Sequence, residues 1–416
     1  MRRERIKTSA APTPLANYCQ AVVAGDVVYA AGQIASDFKT GVAPEARVDP
    51  AFPHYGSAIE RQTRYTLDNL KATLAAAGCS LEDVVKAQVF MTDLGDFDSF
   101  DRVWKAYFPA PPPRSTIGIG GLLVPGCLVE IDLVAVRPRV KRKAIASKAV
   151  PSPLANYRQA IEVGETVYAA GQIASDFKTG LAPEARVDPA FPYYGSAIER
   201  QTRYTLDNLS ATFKAAGCGL EDVVKAQVFM TDLAQFYAFD QVWKRYFPSP
   251  PPRTTIAVGG LLVPGCLVEI DLVAVKPSVR RKVITTKSAP TPLAHYCQGV
   301  VAGSTIYAAG QIASDYKTGV APEARVDPVF PFYGSEIERQ TRYVLDNLAA
   351  TFKAAGGSLK DVVKAQVFLT DLADFHAFDQ VWKEYFPAPP PRSTIGISGL
   401  LVPGCRIEID LIGVKV

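Results

Sequence analysis

The segment Gly-Gln-Ile-Ala-Ser-Asp occurs three times, beginning at Gly32, Gly171 and Gly310, and Pro-Pro-Arg-(Ser/Thr)-Thr-Ile recurs with its arginine at Arg114, Arg253 and Arg392. Both recur every 139 residues, so the 416-residue chain is three tandem copies of one unit. Units of about 20 to 50 residues must stack to bury a face, whereas a unit this long can enclose its own core. The copies divide at 1–139, 140–278 and 279–416.

Within the first copy, Gln20-Ala21-Val22-Val23 and Val27-Val28-Tyr29-Ala30-Ala31 flank Ala24-Gly25-Asp26, a pair of β-branched runs around a glycine turn that predicts a hairpin. A polar, proline-containing loop follows from Ser36 to Gly56. Ser57-Ala58-Ile59-Glu60 has the spacing of a capping box, which accounts for Glu60 without a catalytic role. Ile59, Leu67, Leu70, Leu74 and Ala77 then share one helical face until Gly78 ends the run. Val84 to Met91 reads as a strand, and Phe97, Phe100, Trp104, Tyr107 and Phe108 mark a shorter amphipathic helix stopped by Pro109. Strands over Arg114 to Ile119 and Leu128 to Val136, joined by a Gly-Gly…Pro-Gly turn, close the copy. The order ββαβαββ is an α+β unit with both helices on one face of a mixed sheet.

The other sheet face needs a cover. In the last strand Val129, Ile131 and Leu133 form a wholly apolar side suited to the helices, while Leu128, Glu130, Asp132 and Val134 mix apolar groups with two carboxylates. The mixed side suits a contact between copies, where charged groups stay paired or line a cleft. Three such contacts close into a ring, which predicts a monomeric chain folded as an intramolecular trimer. The joins carry candidate edge strands at Ala144-Ile145-Ala146 and Val283-Ile284-Thr285.

Composition excludes several classes. With 48% hydrophobic and 21% charged residues the chain is ordinary globular material, and a net charge of +4, with basic residues clustered at the joins, argues against a nucleic-acid partner. No apolar run approaches 18 residues, and the charged start leads into Thr8-Ser9-Ala10-Ala11-Pro12, so neither membrane association nor secretion is expected. Four of the seven cysteines sit at positions that are not kept in every copy: Cys19 and Cys297 correspond to Arg158, and Cys79 and Cys218 to Gly357. That argues against a disulfide framework and for a cytoplasmic location. Three scattered histidines offer no metal-ligand spacing. Cys127, Cys266 and Cys405, each after a turn glycine, read as small core filler.

Tyr18-Cys19-Gln20, Ala31-Gly32-Gln33-Ile34, Asp37-Phe38-Lys39-Thr40-Gly41, Leu67-Asp68-Asn69-Leu70, Val84-Val85-Lys86, Pro113-Arg114-Ser115-Thr116 and Val129-Glu130-Ile131, in this order and three times over, resemble the YjgF/RidA family across nearly all of each copy. The resemblance implies a chorismate-mutase-like fold, a three-fold ring with sites in the clefts between units, and a hydrolase acting on reactive enamines and imines without a cofactor. It implies that Arg114, Arg253 and Arg392 bind a substrate carboxylate. A planar guanidinium supplies two parallel hydrogen bonds for that, and the preceding prolines stiffen the loop. A purely structural arginine, paired with Glu130 or a neighbour's carboxylate, is the alternative.

The same resemblance assigns Tyr18, Tyr157 and Tyr296 to the pocket, and Glu130, Glu269 and Glu408 to positioning or activating water. Core packing for the tyrosines and a salt bridge for the glutamates are the alternatives. Gly32, Gly171 and Gly310 fall on the substrate-binding segment, and Thr116, Thr255 and Thr394 can donate a hydroxyl to substrate.

The chain also departs from the family. Alanine stands at Ala31, Ala170 and Ala309 where deaminase members often have serine, the threonines replace a cysteine, and Asp101, Asp240 and Asp379 replace an asparagine. The insert Asp49-Pro50-Ala51-Phe52-Pro53-His54-Tyr55-Gly56, with Tyr193 and Phe332 in place of His54, reads either as a lid for a larger substrate or as a loop packed over the long helix. An enzyme of different small-molecule chemistry on the same fold, a metabolite-binding module and an endoribonuclease are the competing functions.

Overall fold

A computed structural model describes residues 3–415 apart from 15, 50, 52–55, 154, 189, 191–194, 293, 328 and 330–333. Most of the aromatic insert lies outside the described residues, as do its counterparts in the other copies. The first copy runs β1 (Arg3–Ile6), β2 (Ala21–Ala24), β3 (Val27–Ala30), β4 (Gln33–Ile34), α1 (Ala58–Ala76), β5 (Val84–Met91), α2 (Phe97–Tyr107), β6 (Arg114–Gly118), β7 (Gly121–Leu122) and β8 (Val129–Val136). The other two copies repeat this order.

Local chemistry sets the helix limits. Ser57 caps α1 by accepting the Glu60 backbone N–H, and Gly78, at φ +73°, supplies the left-handed residue that ends it. Glu199 and Glu338 close full capping boxes in the later copies, whereas the Glu60 carboxylate turns instead to Arg102 at 2.9 Å. Ile59, Leu67, Leu70 and Leu74 of α1 and Phe100 and Trp104 of α2 pack on Val129, Ile131 and Leu133 of β8. Each large side chain so buried contributes about 1.5–3 kcal/mol.

The sheet order is β1-β2-β3-β8-β5-β6, with β4 also on β8, and only the β5–β6 pairing is parallel. Beyond β6 comes Gly260–Leu261, a strand of the second copy. The sequence predicts only a turn at this position. The structure makes it a two-residue strand that extends another copy's sheet: Gly121–Leu122 joins the third copy's sheet and Gly399–Leu400 the second's. Two residues carry no periodicity, so only the assembled ring gives this segment its partner.

The joins form edge strands at Arg142–Ile145 and Arg281–Ile284, each at the margin of the following copy's sheet. Their arginines reach back to the preceding copy, Arg142 to Asp83 and Arg281 to Asp222. At the third seam no peptide link exists, and β1 takes the same place: Arg3 pairs with Asp361 at 3.0 Å. The N-terminal segment is thus a strand that closes the ring.

The three mixed sheet faces meet around the pseudo-three-fold axis. Gln88 donates to Gln227, Gln227 to Gln366 and Gln366 to Gln88 at 2.5–2.6 Å, a closed cycle of one side chain per copy. Around it stand the buried ion pairs Lys86–Asp271 (2.7 Å), Lys225–Asp410 (2.5 Å) and Lys364–Asp132, each joining two copies. Ser115, Thr254 and Ser393 donate to the same aspartates. Apolar side chains, among them Val22, Val136, Ile161 and Val363, fill the remaining contact.

Because each face is already covered within one chain, light scattering should report a single species near 44.8 kDa, and a dominant species of three times that mass would overturn this arrangement. Lys225→Met strands the Asp410 carboxylate in the axis and should cost about 3–5 kcal/mol, seen as a lowered melting temperature. The double change Lys225→Met with Asp410→Leu should recover most of the loss.

Candidate functional site in the inter-copy clefts

Alternation along β6 sends Arg114 and Thr116 to the helix side of the sheet and Ser115 to the axis, while the same alternation in β8 keeps Glu130 on the axial side. An arginine of one copy therefore meets a glutamate of the next. Each of three clefts, of about 320 to 370 Å³, combines two copies. Arg114 and Thr116 face Tyr157, Gly171 and Glu269; Arg253 and Thr255 face Tyr296, Gly310 and Glu408; Arg392 and Thr394 face Tyr18, Gly32 and Glu130. All fifteen residues singled out from the sequence line these clefts, five to each.

The arginine is the most constrained of them. Arg114 is 3% exposed and donates through Nη1 to Asp101 at 3.0 Å, not to a glutamate. Its guanidinium lies 5.0–5.4 Å from the ring centres of Phe97, Phe100 and Trp104. Arg253–Asp240 and Arg392–Asp379 repeat the pair at 3.0 and 2.9 Å. Lys105, Lys244 and Lys383 bind the other oxygen of each aspartate at 3.0–3.2 Å from one helical turn away, leaving each trio with a net positive charge. One guanidinium nitrogen in each cleft, Nη2 of Arg114 and Arg253 and Nη1 of Arg392, is buried without a hydrogen-bond partner among the described residues. A buried donor seeks an acceptor, and this nitrogen borders the cleft that an acceptor could enter.

Asp101, Asp240 and Asp379 stand out in the sequence only as departures from the family. Their role depends on α2 packing over β6, which brings residues thirteen positions apart into contact. The spacing of Phe97, Asp101 and Lys105 along one face of α2 is the signal that points to them.

Opposite the arginine, Glu130 is 4% exposed and accepts the backbone N–H of Thr394. Glu269 and Glu408 likewise accept from Thr116 and Thr255. The threonines thus meet the glutamate through the main chain. Gly32 is required here: a Cβ would fall 2.0 Å from Oε1 of Glu130. Burial, with the nearby Asp132 carboxylate second, pushes Glu130 up to about 8, and Glu269 and Glu408 rise to the same value with Asp271 and Asp410 beside them. At neutral pH these carboxyls hold their protons. Burial also raises Tyr18, Tyr157 and Tyr296 above the ordinary phenol value, so they stay neutral. Phe38, Phe177 and Tyr316, which complete the wall, sit at φ of 59° to 61°, unusual for aromatic residues.

Fold and clefts together define a ring of three chorismate-mutase-like α+β units whose clefts lie between units and bring a buried arginine of one copy beside a buried glutamate of the next. The family described as Endoribonuclease L-PSP matches residues 8–137, 147–276 and 286–415. The chain belongs to this family, whose members include the RutC and RidA proteins. It is 38% identical over 136 residues to a RutC family protein of Pyrococcus horikoshii, across 32% of this chain and 98% of the relative. It is 35% identical over 136 residues to Reactive Intermediate Deaminase A, chloroplastic, of Arabidopsis thaliana, across 32% of this chain and 66% of that protein. A 2-iminobutanoate/2-iminopropanoate deaminase of Dermatophagoides farinae is 34% identical over 133 residues, across 32% and 94% respectively. No helix among the described residues is long and apolar enough to cross a membrane.

The raised glutamates bear on pH dependence. A carboxyl whose folded value lies above its unfolded one stabilises the protein fully below the unfolded value, and that contribution is lost as pH rises through about 8. Infrared difference spectra should contain a protonated-carboxyl band at neutral pH that disappears through about pH 8. The triple change Glu130→Gln, Glu269→Gln, Glu408→Gln should remove that band.

Proposed function

We propose that the chain is a hydrolase of 2-imino acids and their enamine tautomers, with Arg114, Arg253 and Arg392 gripping the substrate carboxylate. The observation that carries this reading is the buried guanidinium nitrogen left without a partner in each cleft, poised to complete a bidentate contact. The deaminase names of the Arabidopsis and Dermatophagoides relatives support the reaction class. The depth of the arginine, at 3–4% exposure, favours a small carboxylate over a polynucleotide backbone, which could not follow it to the cleft floor.

The chemistry follows from the groups present. The protonated glutamate donates to the imine nitrogen, which makes the adjoining carbon electrophilic. Water adds to that carbon and returns a proton to the glutamate. The glutamate then protonates the carbinolamine nitrogen, and the C–N bond breaks as the hydroxyl proton passes back to the glutamate carboxylate, releasing ammonia and a 2-oxo acid. The tyrosine and the threonine border the same space, and little beyond orientation and one proton source is needed. Alanine in place of the family's serine and threonine in place of its cysteine leave this route intact, because neither serves as the proton source.

An amino-acid oxidase with semicarbazide trapping generates imines in place and measures how fast they disappear. The protein should hasten that loss, and each single arginine-to-alanine change should leave the other two clefts working. The triple change Arg114→Ala, Arg253→Ala, Arg392→Ala should abolish activity, each lost contact costing about 2–5 kcal/mol at its own cleft. Undiminished activity in a folded triple variant would eliminate the arginine role. Decay at the buffer rate with the native protein would eliminate deamination.

A further inference from the structure

The three clefts are built from the same residue types at all but two of the lining positions among the described residues. One variable position follows the first residue of the second helix: Asp98 beside Arg114, Tyr237 beside Arg253 and His376 beside Arg392. The other lies across the cleft, where Phe177 and Phe38 in two clefts become Tyr316 in the third. Both changes add an aromatic hydroxyl to the same cleft, that of Arg253.

The position of these residues makes the difference consequential. Arg253 and Glu408 are nearly buried at the cleft floor, whereas Tyr237 is 75% exposed at the rim and makes no ring contact with the described residues. A substrate whose carboxylate lies on the arginine and whose reacting carbon faces the glutamate must send its side chain outward, toward this rim. There it meets Phe236 and Tyr237 on one wall and Tyr296 and Tyr316 on the other. The two phenols on that far wall hydrogen-bond to each other at 2.6 Å, which fixes both rings. An exposed tyrosine beside a pre-ordered aromatic wall offers a planar ring offset or edge contacts at little ordering cost. The Arg114 cleft presents the Asp98 carboxylate at the same rim, which disfavours an apolar ring.

We propose that the clefts of this one chain select different substrate side chains, with the Arg253 cleft specific for aromatic 2-imino acids and Tyr237 its specificity-determining residue. The proposal rests on the reading that the arginines hold the substrate carboxylate.

Two measurements test it, using the full chain. The first compares kcat/KM for 2-imino-3-phenylpropanoate and 2-iminopropanoate. Tyr237→Asp should lower the aromatic-to-small ratio about three-fold, and Asp98→Tyr should raise it, in keeping with the roughly two- to ten-fold worth of an aromatic pair. Both positions are exposed, so neither change opens a cavity. A ratio unmoved by either change would overturn the proposal. The second measurement needs no turnover: calorimetric titration with the product analogues 2-oxo-3-phenylpropanoate and 2-oxopropanoate. The aromatic acid should show one tighter site per chain that Tyr237→Asp weakens about three-fold, and the small acid a single class of sites. Three equal sites for the aromatic acid would overturn the proposal even if imine hydrolysis holds. Absence of hydrolysis with one strong aromatic site would overturn the reaction while keeping the selectivity.

Discussion

The buried lysine–aspartate pairs around the axis are the contact on which the rest of the molecule depends. Each lysine is supplied by one copy and each aspartate by the next, and both are nearly free of solvent. Such charges tolerate burial only when paired and hydrogen-bonded, so a copy that slipped along its neighbour would strand an ion at heavy cost. The apolar remainder of the interface supplies attraction without direction. The glutamine cycle and the ion pairs supply register, and register decides whether Arg114 ends up opposite Glu269.

The same strand performs both tasks. In β8, Asp132 pairs with Lys364 at the axis, and Glu130, two residues earlier on the same face, enters the cleft beside Arg392. Position along one strand thus converts axial fixation into placement of the chemical group. Proximity to Asp132 also helps to raise Glu130. The residue that aligns the ring therefore contributes to keeping the cleft carboxyl protonated, and Ser393 connects the two regions by donating to Asp132 while accepting from the Gly32 backbone.

Much of this is legible in the sequence because it is encoded in short-range pattern. The 139-residue period gives the three-fold construction, and alternation in Leu128 to Val134 separates a helix-facing side from a mixed side. The glutamate, tyrosine and arginine that line each cleft lie in motifs that recur in order. What stays hidden depends on which copy meets which. Nothing local to Gly121–Leu122 says that it completes the third copy's sheet, since two residues have no period to read. The charged start Arg3–Ile6 does not read as a strand because only Ile6 is buried, and its partner Asp361 lies at the far end of the chain. Asp101 is visible as an oddity, but its bond to Arg114 requires the packed helix.

Fusion changes what variation can do to such a site. Every cleft takes its arginine from one copy and its tyrosine and glutamate from the next, so no copy holds a complete site. In an assembly of three identical chains, any substitution at the rim would appear in all clefts at once, and selectivity could shift only in common. Here the positions of Asp98, Tyr237 and His376 are encoded separately, while the arginine, threonine, tyrosine and glutamate of each cleft and the axis that sets the register are kept alike in all three. Rim residues are exposed and carry little of the folding free energy, so they are free to differ. The arginine and its aspartate are buried and mutually dependent, and a change in either breaks the buried ion pair, while the glutamate is held in a space that only a glycine backbone leaves open. Divergence at Asp98, Tyr237 and His376 is thereby confined to the exposed rim of each cleft.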